Sequence, residues 1–425
     1  MTDTTVDITL EAFEAEARAF LDANASPKRE LRHQWGEGDD TIALLEEKTP
    51  EEEATEVREA KAWKAEVFDA GFGWITGPAE YGGRGLPGAF QRAWHALEAG
   101  YDTPDVSCFG IGLGMVAPTI LAHARDEIRA RYLPQMYRGD IIGAQLFSEP
   151  VAGSDLAGIQ TRAERDGDEW VVTGQKVWTS GAQYSDIGEV ITRTSPDKPK
   201  HKGLTMFVVD MHAPGVEVRP LRQMTGGASF NEVFFDEVRI ADDHRLGDVD
   251  EGWTVALTTL MNERAAIGGG MAAPGGSSGG TLARLFELAR RTGRSDDAVV
   301  RQQLAAVWLH TQIARFTNLR SMAKVKAGGL PGPEMSMGKL ALTNNLQRIS
   351  RAAEAVLGPR VVADAGEWGT YAWAKFILGV PGMRVAGGTD EVLRNIVSER
   401  VLGMPKEPRL DSGPFSDTLK AGDRT

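Results

Sequence analysis

"DEWVVTGQKVW", residues 168–178, is the stretch on which the fold turns. It is rich in β-formers and bounded by turn residues, which predicts a strand. "LTMFVVDM" (204–211), "GVEVRPL" (215–221) and "NEVFFDEVRI" (231–240) read the same way. Together they predict a compact β domain over residues 141–245.

Outward on both sides the period becomes helical. Upstream, residues 1–140 predict a helical domain. Thr49-Pro50-Glu51-Glu52 supplies a cap, a proline at the first helical position and acids at the positive dipole end. The charge run from Glu46 to Glu66 reads as a solvated helix face. "PAEYGGRGLPG", 78–88, is punctuated by glycine and proline as a loop. "GIGLGM", 110–115, lacks the G-x-G-x-x-G spacing and a clear preceding strand, so it is assigned to helix packing. Downstream, "LARLFELARRTG" and "VVRQQLAAVWLHTQIARFTNLR" carry the amphipathic stripes of a helical bundle spanning 246–404. The glycine-rich piece 268–280 separates two of its helices, and residues 405–425 read as a polar, frayed tail. Helices, then strands, then helices describe an α+β protein with segregated elements.

Bulk properties narrow the function. The chain of 425 residues, with a formal charge of −13 spread along its length, does not suit nucleic acid or anionic membrane as the main partner. A single cysteine, Cys108, excludes an internal disulfide framework and reads as a packed thiol. Seven histidines without ligand spacing predict no metal site. The N-terminus has acids and no long apolar run, and no stretch approaches the roughly 20 apolar residues of a membrane span. A cytoplasmic protein is expected.

One helix carries an anomaly. In "TTLMNERAAIGGG", 258–270, Leu260 and Ile267 flank Glu263 at helical spacing, which places the carboxylate on the apolar face. Such a group costs several kcal/mol unless it is paired or protonated. Pairing with an arginine inside the bundle is the bland explanation, and Arg264 next door has an ion pair as its own.

Two hydroxyl-rich turns flank the β domain. "LFSEPVAGSDLAG", 146–158, offers Ser148, Ser154 and backbone N–H groups where glycines such as Gly153 permit close approach. "GQKVWTSGAQ", 174–183, sets Trp178 beside Thr179 and Ser180, a combination suited to stacking on and hydrogen-bonding a planar heterocycle. The competing reading is a core tryptophan and an ordinary turn.

"FSEPVAGSDL" and "GQKVWTSGA", followed by "GGTDEVLRNIVSERVLG", resemble the acyl-CoA dehydrogenase family. "EYGGRGL", "ARYLPQMYRGD" and "LARRTGR" extend the likeness over nearly the whole chain. The resemblance implies an N-terminal helical domain, a middle β-barrel and a C-terminal four-helix bundle, with FAD bound between the β domain and the bundle. It implies flavin contacts at Leu146, Ser148, Gly153, Ser154, Trp178, Thr179, Ser180, Thr389 and Glu391, with Arg290 reaching the FAD of a partner subunit. Ser154 also falls where family members meet acyl-CoA. Many members have glutamine where Glu391 stands, and Ala355 replaces an amide of the family's Q-x-x-G-G segment.

Many members also carry the catalytic glutamate directly before the Gly-Thr of the terminal turn. This chain reads "RVAGGTDEV" and has Gly387 there. Relatives such as isovaleryl-CoA and long-chain acyl-CoA dehydrogenases hold the base on a C-terminal-domain helix before an arginine. "MNER" matches that alternative with Glu263 as the base and Arg264 near the CoA end. Gly387 and Gly388 would serve substrate through backbone groups, and Glu391 is a weaker candidate base. The implied reaction is α,β-dehydrogenation of an acyl-CoA to a trans-2-enoyl-CoA, by α-proton abstraction and β-hydride transfer to flavin. Electrons would pass on to an electron-transferring flavoprotein, and the chain would assemble as a homo-oligomer, tetramer or dimer. A flavin oxidase or monooxygenase of the same fold, or a non-catalytic subunit of a mixed tetramer, are the alternatives.

Overall fold

The computed structural model describes residues 8–28, 35–44, 48–270, 277–326, 332–408 and 412–417, with the backbone alone at 264–270, 277–279 and 324–326. Residues 271–276 of the glycine-rich piece lie outside the described set.

The N-terminal region is built from α1 (Leu10–Asn24), α2 (Pro50–Asp69), α3 (Gly88–Glu98), α4 (Ala117–His123) and α5 (Asp126–Arg138), with a small ribbon of β1 (Ser26–Pro27) and β2 (Tyr101–Asp102). α2 begins where the cap was expected. Thr49 Oγ1 accepts from Glu52 N at 3.2 Å, and the Glu52 carboxylate accepts from Thr49 N at 2.8 Å, a reciprocal capping box. The segment "GIGLGM" leads into a π-helical turn, Gly112–Val116, ahead of α4. A Cβ on Gly112 would lie 3.0 Å from the backbone N of Gly143, so this glycine serves close packing of helix on strand.

The middle region contains β3 (Gly143–Leu146), β4 (Arg162–Asp166), β5 (Glu169–Ser180), β6 (Ile187–Arg193), β7 (Leu204–Asp210), β8 (Val216–Leu221), β9 (Phe230–Ala241) and β10 (Arg245–Leu246). They form one eight-stranded sheet in the order β10-β7-β6-β4-β5-β9-β8, and β3 pairs with β6. The four runs read as strands correspond to β5, β7, β8 and β9. β6 is the notable addition. All seven of its residues are buried, so no apolar–polar alternation marks it, and Gly188 and Glu189 interrupt its apolar run.

The helices return as α6 (Gly252–Gly270), α7 (Ser277–Arg291), α8 (Ala298–Lys326), α9 (Ser336–Leu357), α10 (Ala372–Met383) and α11 (Asp390–Ile396). Leu285, Leu304, Ile349, Trp373 and Phe376 are among the residues that form the bundle core. α6 belongs to a different core. Its Val255 and Ala256 join Ile120 and Leu133 of the N-terminal helices and Met206 and Val208 of β7. The helix therefore contacts α4, β6, β7 and α9.

The tail departs from its expected frayed character at one point. Phe415 is only 4% exposed, lies 3.9 Å from the Arg193 guanidinium carbon at its ring centroid, and donates its N–H to Lys198 O at 2.9 Å. One aromatic residue docks a segment whose average composition is polar.

Candidate functional site

The two hydroxyl-rich turns are pinned to each other. Val177 N donates to Ser148 O at 2.8 Å, and Lys176 Nζ donates to Phe147 O at 3.0 Å and to Glu149 Oε1 at 2.8 Å. The Glu149 carboxylate also accepts from Gln160 N at 2.6 Å and Thr161 N at 2.9 Å. Burial alone would raise its pKa. The Lys176 ammonium and the N–H donors overturn that and hold Glu149 below the usual carboxylate value. A buried ion pair, with both carboxylate oxygens hydrogen-bonded, thus clamps one turn against the other.

Above this clamp the strand changes phase. Trp170, Val172 and Lys176 point inward at the strand period, which would bury Trp178 as well. A register shift between Lys176 and Thr179 intervenes, so Val177 and Thr179 are buried and Trp178 is 61% exposed. Trp178 adopts φ +62°, a left-handed conformation costly for a residue with a Cβ. Its ring meets Phe230 edge-on at 6.1 Å. Thr179 Oγ1 beneath it is buried and has no hydrogen-bond partner among the described residues. Ser148 and Ser180 are half-buried, Gly153 and Ser154 exposed, and the Leu146 side chain fully buried in the sheet core, which leaves its backbone for any ligand contact.

Glu263 lies on α6, half-buried, one turn beyond Thr259, which is completely buried. The Arg264 side chain lies outside the described set. Facing this part of α6 from β6 is Glu189, 0% exposed. Its Oε2 is 3.2 Å from Thr259 Oγ1, which is 2.9 Å from Thr119 Oγ1 on α4. Its Oε1 has no hydrogen-bond partner among the described residues. Burial, with the charge of Glu263 adding to it, pushes Glu189 up to about 8 against the lowering effect of the two threonine hydroxyls.

The terminal turn is held separately. Gly387 and Gly388 have φ +66° and +88°, and Thr389 caps α11 by accepting from Val392 N at 3.2 Å. Lys339 Nζ on α9 donates to Gly388 O at 2.8 Å. Fully buried Asp390 accepts from Arg384 Nε at 2.8 Å and Thr343 Oγ1 at 2.9 Å. Glu391 is exposed, 3.6 Å from Arg394, and Arg290 is exposed, 3.4 Å from Glu287, each pair on one helix. Ala355 accepts from Arg294 through its carbonyl at 3.4 Å. The fold thus joins the two β-domain turns and sets Glu263 near Glu189. α6, touching both β6 and α9, spans the space between the sheet and the helix that anchors the terminal turn. A separate open cleft of about 350 Å³, lined in part by Asp40, Asp364, Trp368 and Lys375, includes none of these residues.

Comparison with known proteins settles the ancestry. Residues 9–140, 144–238 and 250–402 match the N-terminal, middle and C-terminal domain models of acyl-CoA dehydrogenases. The chain belongs to the acyl-CoA dehydrogenase family. A relative named acyl-CoA dehydrogenase IpdE1, from Mycobacterium tuberculosis (strain ATCC 25618 / H37Rv), is 36% identical over 94% of this chain and 99% of its own length. Among solved structures, the "Tcur3481-Tcur3483 steroid ACAD" aligns with a TM-score of 0.70 at 26% identity, covering 94% of this chain and 98% of that one. A glutaryl-CoA dehydrogenase from Mycobacterium smegmatis, solved in complex with FADH2, shares the fold with a TM-score of 0.64 at 20% identity over 96% of this chain and 98% of that one.

In this acyl-CoA dehydrogenase family member, sequence reading singled out the turns but not Lys176, Glu149, Asp390, Lys339 or Glu189. Lys176 was discoverable, because a lysine in the inward phase of a half-buried strand requires a buried partner. Glu189 was not. Its strand had no periodicity to place it.

Proposed function

We propose that this family member is an FAD-dependent dehydrogenase converting an acyl-CoA thioester to its trans-2-enoyl-CoA, with Glu263 taking the α-proton. The observation that carries the reading is the place of Glu263 on α6. It is a half-buried carboxylate one turn from fully buried Thr259, while position 387 of the terminal turn is a glycine with no side chain to take a proton, and Glu391 there is exposed. A base for a carbon acid needs a carboxylate whose hydration is limited, so that its pKa rises toward the working pH. The packed side of α6 offers that environment.

The residues of the β domain fit FAD. Trp178 stands out on a bulge in a strained conformation, a bare aromatic face for a planar ring system, next to Thr179, whose buried hydroxyl has no partner among the described residues, and the exposed Gly153 and Ser154 belong to the turn pinned to this strand. When bound, FAD supplies the two-electron acceptor for the hydride leaving the β-carbon. The chain's own tasks are to hold the flavin at Trp178, Thr179 and Ser180, to position the thioester with the backbone of Gly387 and Gly388, and to receive the α-proton on Glu263. Arg290, Thr389 and Glu391 extend the cofactor site, and Arg264 meets the CoA end.

A second copy of the chain is the proposed partner of α8, whose Leu309, Ile313 and Phe316 recur at helical spacing and are each roughly half exposed or more. An electron-transferring flavoprotein is the proposed acceptor. The test is anaerobic mixing of the purified protein with straight, branched and ring-bearing acyl-CoAs while flavin absorbance is followed. Bleaching by at least one thioester with slow reoxidation in air supports the dehydrogenase over an oxygen-using flavoenzyme. Glu263→Gln is expected to slow bleaching by about 10²–10⁴-fold; a parental rate would defeat the assignment.

A further inference from the structure

Glu189 has no task in the reaction as described, yet its surroundings are unusual. It is a carboxyl group with 0% exposure in the middle of a strand whose every residue is buried. Across the ladder its neighbours are Gln145 on β3 and Val208 on β7, neither of them charged. From α4 it meets Thr119. His123, one turn further along that helix, is hydrogen-bonded to Thr258 Oγ1 at 2.8 Å instead. From α6 it meets Thr259, and among the described residues the Glu263 carboxylate of that helix acts on it by its charge. Among the described residues no lysine or arginine hydrogen-bonds it.

A hydrogen count favours the protonated acid over the anion. Three oxygen–oxygen contacts run in series: Met115 O to Thr119 Oγ1 at 2.8 Å, Thr119 Oγ1 to Thr259 Oγ1 at 2.9 Å, and Thr259 Oγ1 to Glu189 Oε2 at 3.2 Å. Each contact needs a hydrogen, and each threonine hydroxyl has one. If Thr119 donates to the Met115 carbonyl and Thr259 donates to Thr119, the remaining hydrogen must sit on Glu189 and point at Thr259. An ionised Glu189 would leave one contact with two lone pairs facing each other. It would also be a buried anion with no cation hydrogen-bonded to it among the described residues, beside a second carboxylate.

We infer that Glu189 is a positioning residue for the reaction: a neutral carboxylic acid buried behind Glu263, which lets the pair carry one negative charge and reserves that charge for Glu263. This rests on the reading of Glu263 as the base. With Glu189 neutral, β6 places no negative charge behind the Glu263 carboxylate, the group read as taking the α-proton. The Thr259–Thr119 chain ends on a backbone carbonyl and fixes the orientation of the acid. Ionisation of Glu189 places a second negative charge behind the base and alters its basicity, so the two groups titrate as a unit.

The test is infrared titration of the flavin-loaded protein, following the carboxylic-acid C=O stretch, together with the pH profile of flavin reduction. Parent protein is expected to keep a protonated-carboxyl band through neutral pH that disappears with a midpoint near 8. Glu189→Gln, which supplies an amide N–H where the acid supplied O–H, should lack that band. It should also lose the second inflection of the pH profile near that midpoint while retaining flavin reduction within about threefold below pH 7. Glu263→Gln should keep the band and move its midpoint down by about half a pH unit or more, because the like charge is gone. A band that persists in Glu189→Gln, or a midpoint unmoved in Glu263→Gln, overturns the inference. Parental flavin reduction by Glu263→Gln strikes the base assignment alone, since the infrared bands report the pair whatever carries out the chemistry.

Discussion

Glu149 and Glu189 are two buried glutamates of the same domain with opposite fates. Glu149 faces the Lys176 ammonium and two backbone N–H groups, and it is held as an anion. Glu189 faces two hydroxyls and another carboxylate, and it is pushed up to about 8 and held as an acid. Burial is common to both, so burial does not decide charge. The partners do. The first arrangement makes a rigid clamp beneath the proposed flavin shelf; the second makes a titratable neighbour for a base.

The largest effect expected along this comparison comes from Glu263, the charge that acts on Glu189. Glu263→Gln should cut flavin reduction by about 10²–10⁴-fold in stopped-flow absorbance, equivalent to roughly 3–5 kcal/mol of barrier. Next is the clamp. Lys176→Met leaves Glu149 buried without its cation and should cost about 3–5 kcal/mol in urea unfolding, much of it recovered when Glu149→Gln is added. If the single variant unfolds like the parent, the contrast between the two glutamates collapses.

A smaller effect separates them by pH. Glu189 rises from 4.5 to about 8 on folding, so between those values the unfolded chain binds fewer protons than the folded one. Its contribution makes stability fall with rising pH, by up to about 1.4 kcal/mol per unit, and level off above the folded value. Glu149 has the opposite sign: its pKa is lowered, so its stabilisation is present above the unfolded value and lost as pH falls through the folded one. Subtracting the stability–pH curve of Glu189→Gln from that of the parent should reveal the downward slope. A flat difference would mean that Glu189 is ionised in the folded protein.

The smallest effect tests the shelf above the clamp. Trp178→Gly relieves the left-handed strain and should leave the apoprotein within about 1 kcal/mol of the parent in thermal unfolding. Its FAD affinity, measured by quenching of flavin fluorescence, should fall at least tenfold. Unchanged affinity would make the exposed tryptophan a structural accident.

How much of this could be read beforehand differs from residue to residue. The β domain was legible because β5, β7, β8 and β9 combine β-forming residues with turn punctuation, and the start of α2 because Thr49 and Glu52 are a local capping pair. Trp178 was legible as a residue type suited to a planar ligand, but not as exposed. Strand alternation points it inward, and only the register shift against β9 turns it out. Phe415 was hidden by the polarity of its neighbours.

The amino-acid sequence determined the things that depend on near neighbours: helix starts, strand periods, the absence of a side chain at Gly387, and the carboxylate of Glu263 on a packed helical face. Tertiary structure decided what depends on groups far apart in the chain. Thr119 and Thr259 meet across 140 residues, and Thr259 and Glu189 across 70. A carboxyl group's charge is set by the cations, donors and acceptors within a few ångströms, and no periodicity encodes which distant residues those will be.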